Sequence, residues 1–393
     1  MTLATADRVG AALLVGAIAL VAFKLLPAQV LFGLAALLWL RLVFADARRP
    51  ELPAFAWPLA GYVVWTLLSA ILSLDHAVSL VDCKQLVLFL IVPMVMRLLR
   101  GPRAMTALSA IIAVGATASL VAVVQYSIFA FDNLDNRPMG TLSHYMTYSG
   151  VIMLVLGATV ARLLYYPDQR VWPGVALPAL VAALAMTLTR NAYLGAGAAI
   201  VVLLVCRNAR LLLAVPIVAI LFAVAAPQGM KARVMSITDL QDPSNRDRVQ
   251  MLQMGAAIVR DYPVFGVGPD MVGHVYGRYL RPDPVHTYNP HLHNVPVQIA
   301  AERGLPALLL WGLFVVVATR DLARQLRHGP ARPLAGAGLA AIVAMVVAGL
   351  FEYNFGDSEF LMLFLCLVTL PFAARTTSSS SDVPSPTAHA RPA

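Results

Sequence analysis

AMTALSAIIAVGATASLVAVVQYSIFA, residues 104–130, carries no Asp, Glu, Lys or Arg. In hydrocarbon a backbone must satisfy its own polar groups, and about 20 apolar residues in a helix cross the core, so this stretch predicts a transmembrane helix. Comparable runs lie outward on both sides, near residues 9–26, 28–45, 54–74, 77–98, 146–166, 172–189, 191–206, 209–226, 295–318, 333–352 and 358–373. Together they make about twelve candidate spans. The chain of 393 residues is 60% hydrophobic and 12% charged, where soluble globules are about half apolar and about a quarter charged. The expected fold is all-α, a polytopic integral membrane helical bundle. Barrel strands would read instead as short alternating segments.

Charge sorts the connections into two classes. With the N-terminus inside, every loop after an even-numbered span is basic: Arg48 and Arg49; Arg97, Arg100 and Arg103; Arg162 and Arg170; Arg207 and Arg210; Arg320, Arg324, Arg327 and Arg332. The short odd-numbered loops carry Asp75, Asp132, Asp135, Glu352, Asp357 and Glu359 instead. The asymmetry predicts cytoplasmic termini and places residues 227–294 outside. It also accounts for the net charge of +9 without nucleic acid as a partner. The first run, Val9–Leu26, precedes no small-residue cleavage site and reads as a retained span. Cys83, Cys206 and Cys366 lack metal-ligand spacing. The resulting organisation is spans one to nine in 1–226, an outer segment in 227–294, spans ten to twelve in 295–373 and a disordered Ser/Thr/Pro-rich tail in 374–393.

The one long polar interval, Ser244 to Pro306, gathers Arg246, Arg248, His286, His291, His293, Asn294 and Glu302. Ser244-Asn245-Arg246-Asp247 reads as a capping box opening an amphipathic helix that ends at Asp261-Tyr262-Pro263. Arg246 and Arg248 then fall in the first turn, where backbone N–H groups attract anions; the alternative is wet surface pairing with Asp242 and Asp247. His293 is expected at the membrane surface as a lone general base, against the alternatives of a zinc site with His286 and His291 or a purely structural histidine. No carboxylate or Cys stands at zinc-motif spacing from these histidines, so no metal is assigned. Glu302 and Arg303 lie about two turns into span ten and are expected to face a polar cavity. Arg190, between two abutting apolar runs, is either a functional cation or a snorkelling one.

Taken together, Leu188-Thr189-Arg190-Asn191-Ala192-Tyr193-Leu194-Gly195, Arg248 followed by Pro263-Val264-Phe265-Gly266-Val267-Gly268-Pro269, and His293-Asn294 followed by Glu302-Arg303-Gly304 resemble the O-antigen ligase and polymerase superfamily of bacterial envelope glycosyltransferases. Thr189 and Asn191 stand where that family usually has Ser and Gly, and Pro306 stands near a usual Gly. The resemblance implies a GT-C-like glycosyltransferase of the Gram-negative inner membrane with its active site in the periplasm. Within it, a single sizeable outer loop and the lack of an added C-terminal domain favour the ligase.

The implied reaction moves a glycan from undecaprenyl diphosphate to a sugar hydroxyl of the lipid A–core oligosaccharide, with inversion and without metal or other cofactor. Membrane lipids complete the implied partners. On this reading His293 is the base, and Arg190 and Arg248 clamp the diphosphate. Arg248 is preferred to Arg246 because its interval to Pro263 matches the family's spacing. Arg246, His291, Asn294 and Glu302 are candidate supporting residues, Glu302 either orienting His293 or holding the tenth helix. The competing readings are a polymerase of the same chemistry and, from another class, a transporter or flippase, which would also line a cavity with Arg and His.

Overall fold

The computed structural model describes residues 1–45 and 51–375. Arg48 and Arg49, and the expected disordered tail from Thr376 onward, lie outside the described residues. All regular structure among the described residues is helical. In chain order the first helices are α1 (Leu3–Leu20), α2 (Leu25–Ala45), α3 (Ala56–Ile71), α4 (His76–Asp82), α5 (Ile91–Leu98) and α6 (Pro102–Ile128). Then come α7 (Tyr145–Tyr165), α8 (Val171–Met186), α9 (Arg190–Asn208) and α10 (Ala214–Ala225). The polar interval holds α11 (Gln228–Met235), α12 (Pro243–Asp261) and α13 (Val272–Val275). The chain closes with α14 (Val295–His328), α15 (Arg332–Ala348) and α16 (Ser358–Ala373).

Every apolar run expected from the sequence is helical. Seven helical stretches are long and apolar enough to cross a membrane, and four shorter apolar helices of 10–17 residues accompany them. One of the seven, Arg190–Val224, is 35 residues long. As one straight rod it would measure about 52 Å. Yet Arg190 hydrogen-bonds Ser236 at 2.8 Å, and the chain from Val224 to Ser236, helical over Gln228–Met235, reaches only about 25 Å, too little even with the arginine's own length of about 7 Å added. The rod must fold back. It does so at Asn208, whose backbone is extended (φ −170°) and whose side chain caps the next turn by accepting from the Arg210 N–H at 3.1 Å.

Boundaries differ from expectation where caps act. α1 begins at Leu3 rather than near Val9, because Thr2 caps it by accepting from the Thr5 N–H. Asp7 is tolerated inside it because Arg97 and Arg103 pair with it at 3.0 and 2.6 Å. α14 runs on to His328, ten residues past the expected end, because Leu322 and Leu326 stay buried at helical spacing while Arg320, Arg324 and Arg327 face outward.

The most enclosed helices are α7, α15 and α16. Small residues let their backbones close up: a Cβ on Gly195 of α9 would sit 2.9 Å from the Ala344 carbonyl of α15. Such contacts drive helix association where lipid offers apolar surface of its own. The two loop classes lie at opposite ends of the bundle. Asp7 meets Arg97 and Arg103 at one end, where the Gly101 N–H also donates to the Ala373 carbonyl. At the other, Thr141 donates to the Phe23 carbonyl and Thr147 to Asp357.

α12 and the loop after it sit at that second end over a small core of their own, including Met251, Met254, Ile258, Val272 and Leu292. Two connections fix this layer. α14 breaks at Gly304 (φ 78°), and the Pro263–Pro269 connector fills the break: the Leu305 N–H donates to Pro263, and the Val267 and Gly268 N–H groups to Ala301 and Glu302. Ser69 and Ser73 of the α3 end then donate to the Phe265 and Val267 carbonyls.

Candidate active site

His293 lies where three constraints meet. Asn294 caps α14, accepting from the Val297 N–H at 2.9 Å and donating its amide to the Leu350 carbonyl at 2.9 Å. Val295 N–H donates to Gly349 at 2.7 Å, and Leu292 N–H to Gln298 Oε1 at 2.7 Å. Held on both sides, His293 takes a left-handed backbone, φ 48°, a conformation that costs on the order of 1 kcal/mol or more for a non-glycine residue and clusters at functional sites. Its Nδ1 meets both oxygens of Glu352, at 3.0 and 2.9 Å. A carboxylate only accepts, so Nδ1 carries a proton, and in the neutral ring Nε2 is then the nitrogen with the lone pair. Glu352 is 5% exposed. Burial works to raise its pKa, but His293, His291 and Arg248 outweigh burial and hold it down at about 2. It is a carboxylate at any working pH.

Glu352, 59 residues beyond His293, stands in the sequence only as an outer-loop acid. No sequence spacing pairs the two; the turn between α15 and α16 brings them together. The same turn changes the premise used against a metal, because a carboxylate does stand with the histidines. His291 Nε2 lies 3.9 Å from Glu352 Oε1, and its ring meets that of His293 edge-on at 4.4 Å. Ligand atoms of His291, His293 and Glu352 all lie within 4.8 Å of one another and could hold a metal ion. Burial lowers the pKa of His291, which is therefore neutral near pH 7. His286 is not with them: its Nδ1 meets Asp247 at 2.9 Å.

Beside the pair lies a crowd of arginines. Arg190 opens α9 after Leu188 (φ 52°) and is 6% exposed, its guanidinium donating to Ser236 and pairing with Asp242 at 3.0 Å. It is no snorkelling residue. Arg248 donates through Nε to the Phe351 carbonyl at 2.9 Å, one residue before Glu352, and through Nη1 to Ser244 at 2.8 Å. Arg233 donates to the Leu188 carbonyl and stands 3.9 Å from Asp242; burial, then repulsion from Arg190 and Arg137, lowers its pKa to about 10. Arg137 lies over the Tyr145 ring at 4.3 Å. Two of these guanidinium groups, Arg190 and Arg233, share the carboxylate of Asp242, while Arg248 stands beside Glu352, and a cluster of four mutually repelling arginines suits a phosphate group. Arg137 and Arg233 were not singled out from the sequence, where each is one more loop arginine.

Asp242, not Ser244, caps α12, accepting from the Ser244 and Asn245 N–H groups with Pro243 in the first position. The capping-box reading is corrected, because a side chain placed before proline already takes both free N–H groups. Arg248 consequently lies in the second turn. Arg246 turns away to an exposed pair with Asp283 at 3.2 Å, leaving Arg248 as the residue beside Glu352. Glu302 does not reach His293 among its hydrogen bonds: its side chain takes Arg303 Nη1 at 2.7 Å and its carbonyl accepts from Ser69 and Gly268. Of its two expected roles, the geometry supports holding the helix.

None of the curated proteins compared matches the chain. Residues 175–312, which include Arg190, Arg248, His293 and Glu302 but not Glu352, match the family model described as O-antigen ligase. Over this segment, about a third of its length, the chain is similar to the O-antigen ligase family.

Proposed function

We infer that the protein is an O-antigen ligase, a multi-pass glycosyltransferase of the Gram-negative inner membrane with twelve spans in a GT-C-like arrangement. Its site opens to the periplasm, as the arginine distribution of the connecting loops supports. The observation that carries the reading is the contact of half-buried His293 with buried Glu352 beside Arg248, which adjoins the cluster that holds Arg190. Such a juxtaposition suits a reaction in which a neutral hydroxyl loses a proton while negative charge builds on a leaving diphosphate.

In that reaction Nε2 of His293 takes the proton from a sugar hydroxyl of lipid A–core as the oxygen attacks the anomeric carbon of the donor glycan. The bond from that carbon to the diphosphate oxygen breaks with inversion, and undecaprenyl diphosphate leaves. Glu352 keeps Nδ1 protonated and stabilises the imidazolium that forms. Arg190 and Arg248, with Arg233 and Arg137 behind them, hold the diphosphate and stabilise its growing charge. A second reading has one specific observation in its favour: the cluster of His291, His293 and Glu352 could bind a metal ion that activates the acceptor hydroxyl. The 2.9 Å Nδ1–carboxylate contact favours the metal-free form, because Nδ1 is then already engaged by hydrogen bonding.

The test is glycan transfer in proteoliposomes with EDTA present, comparing the parent with His293→Ala. The ligase reading expects transfer to lipid A–core by the parent and a loss of roughly a hundredfold to ten-thousandfold in the variant, with donor binding kept. Chains that only lengthen on the lipid carrier would make it a polymerase, and abolition by EDTA alone would favour the metal.

A further inference from the structure

Next to His291 lies a cavity of about 170 Å³. Its lining includes Asp82, Gln85, Asp270, Gln298, Glu302 and Asp357. It is smaller than the roughly 300–1,000 Å³ of pockets for drug-sized ligands, and suits one ring with its substituents. Two of its walls are among the most buried polar side chains in the protein and are only half satisfied. Gln298, 1% exposed, accepts from the Leu292 N–H through Oε1 and leaves its amide nitrogen without a partner among the described residues. Glu302, 2% exposed, gives Oε2 to Arg303 and leaves Oε1 free in the same sense. Buried polar groups are ordinarily paired, so free ones lining a cavity point to a ligand that completes them.

The charge balance says which ligand. Arg303 stands 2.7 Å from Glu302 and 3.4 Å from Asp82, its single positive charge shared between two of the four carboxylates. Asp357 accepts from Thr147 at 3.1 Å, leaving Asp270 as the carboxylate with no side-chain hydrogen bond or ion pair among the described residues. A bare divalent cation would meet repulsion from the Arg303 guanidinium at Glu302 and Asp82 and would leave the amides of Gln298 and Gln85 unused. A phosphate would be repelled and steered to the arginine cluster. A neutral, donor-rich ring satisfies both the carboxylate oxygens and the amides.

We propose that this cavity binds the terminal pyranose of the acceptor glycan, with Asp270, Glu302, Gln298 and Gln85 taking its hydroxyls and His291 forming the wall it shares with the catalytic pair. The proposal rests on the reading of His293 as the base for a sugar hydroxyl. It adds the division of the site: cations hold the donor's diphosphate, carboxylates and amides hold the acceptor's sugar. Asp270 is the residue to change, because it bears no structural ion pair and its left-handed backbone, φ 60°, suits asparagine.

Binding can be read without turnover. Purified parent and Asp270→Asn are titrated with delipidated core oligosaccharide and, separately, with an oligosaccharide of the donor's repeat unit, by saturation-transfer NMR. Donor KM and thermal unfolding are measured beside it. The proposal expects the parent to bind one of the two oligosaccharides and Asp270→Asn to bind it about tenfold or more weakly, the loss of a hydrogen bond to a charged group. Acceptor KM should rise to match, with donor KM and unfolding unchanged. If the repeat-unit oligosaccharide is the one bound, the cavity stands and the ligase gives way to a polymerase. If transfer to lipid A–core is intact but the variant leaves oligosaccharide affinity and acceptor KM unchanged, the cavity is not the acceptor site and the ligase reading survives. A rise in donor KM alone, or displacement of the sugar by calcium at matched ionic strength, would also overturn it.

Discussion

At the scale of single residues, the site is a matter of which groups hold protons. Glu352 sits at about 2, so it faces His293 as a carboxylate throughout the range in which transfer can be assayed. Glu352→Gln keeps the shape but offers no charge to the imidazolium. It should lower kcat by roughly tenfold to a thousandfold with little change in donor KM, and an unchanged kcat would remove Glu352 from the mechanism. Asp357 works in the opposite sense. Burial first, then repulsion from Glu352 and Glu359, raises its carboxyl from 3.8 to about 7. A raised carboxyl pKa means that the folded state binds the proton more tightly, so stability is lost as pH climbs from the unfolded value toward the folded one and stays lost above it. Asp357→Asn should thus raise the unfolding temperature at about pH 8 and scarcely move it near pH 4; an equal gain at both would place the effect in packing.

Elements explain why the motif residues stand as they do. The Gly266-Val267-Gly268 connector and the Glu302-Arg303-Gly304 break are two halves of one crossing, in which loop backbone satisfies the groups that the interrupted helix leaves open. A Cβ on Gly304 would fall 1.9 Å from the Val264 carbonyl and one on Gly266 2.3 Å from the Glu302 carbonyl carbon. Gly304→Ala should cost on the order of 2 kcal/mol or more, because left-handed strain adds to a backbone collision. It should also impair transfer, by shifting Glu302 and the cap before it; a variant as stable and active as the parent would contradict the crossing. Sequence patterning located these elements well, since apolar periodicity and Asp261-Tyr262-Pro263 mark real helix ends. It erred at caps, where Asp242 and Ser244 are equally good by residue type and only the fold shows which one faces the free N–H groups.

At the scale of the molecule, loops of one parity gather at each end of the bundle, the arginines and His293 at the end with Thr141 and Asp357. If that end is periplasmic, a cysteine at Asp283 in a background without Cys83, Cys206 and Cys366 should react with an impermeant thiol reagent on intact cells. One at His328 should react only after permeabilisation; the reverse pattern would invert the topology. The sequence by itself determined that the chain is a helical membrane bundle, where its helices run, and that Arg190, Arg248 and His293 are candidates for its site, because hydrophobic length and short motifs are local properties written in consecutive residues. Only the tertiary structure decided that Glu352 serves His293, that Arg248 rather than Arg246 stands beside it, that Arg233 and Arg137 join the arginines, and that Glu302 belongs to Arg303 and a polar cavity. Those are contacts between helices far apart in the chain, and no local pattern encodes which side chains they bring together.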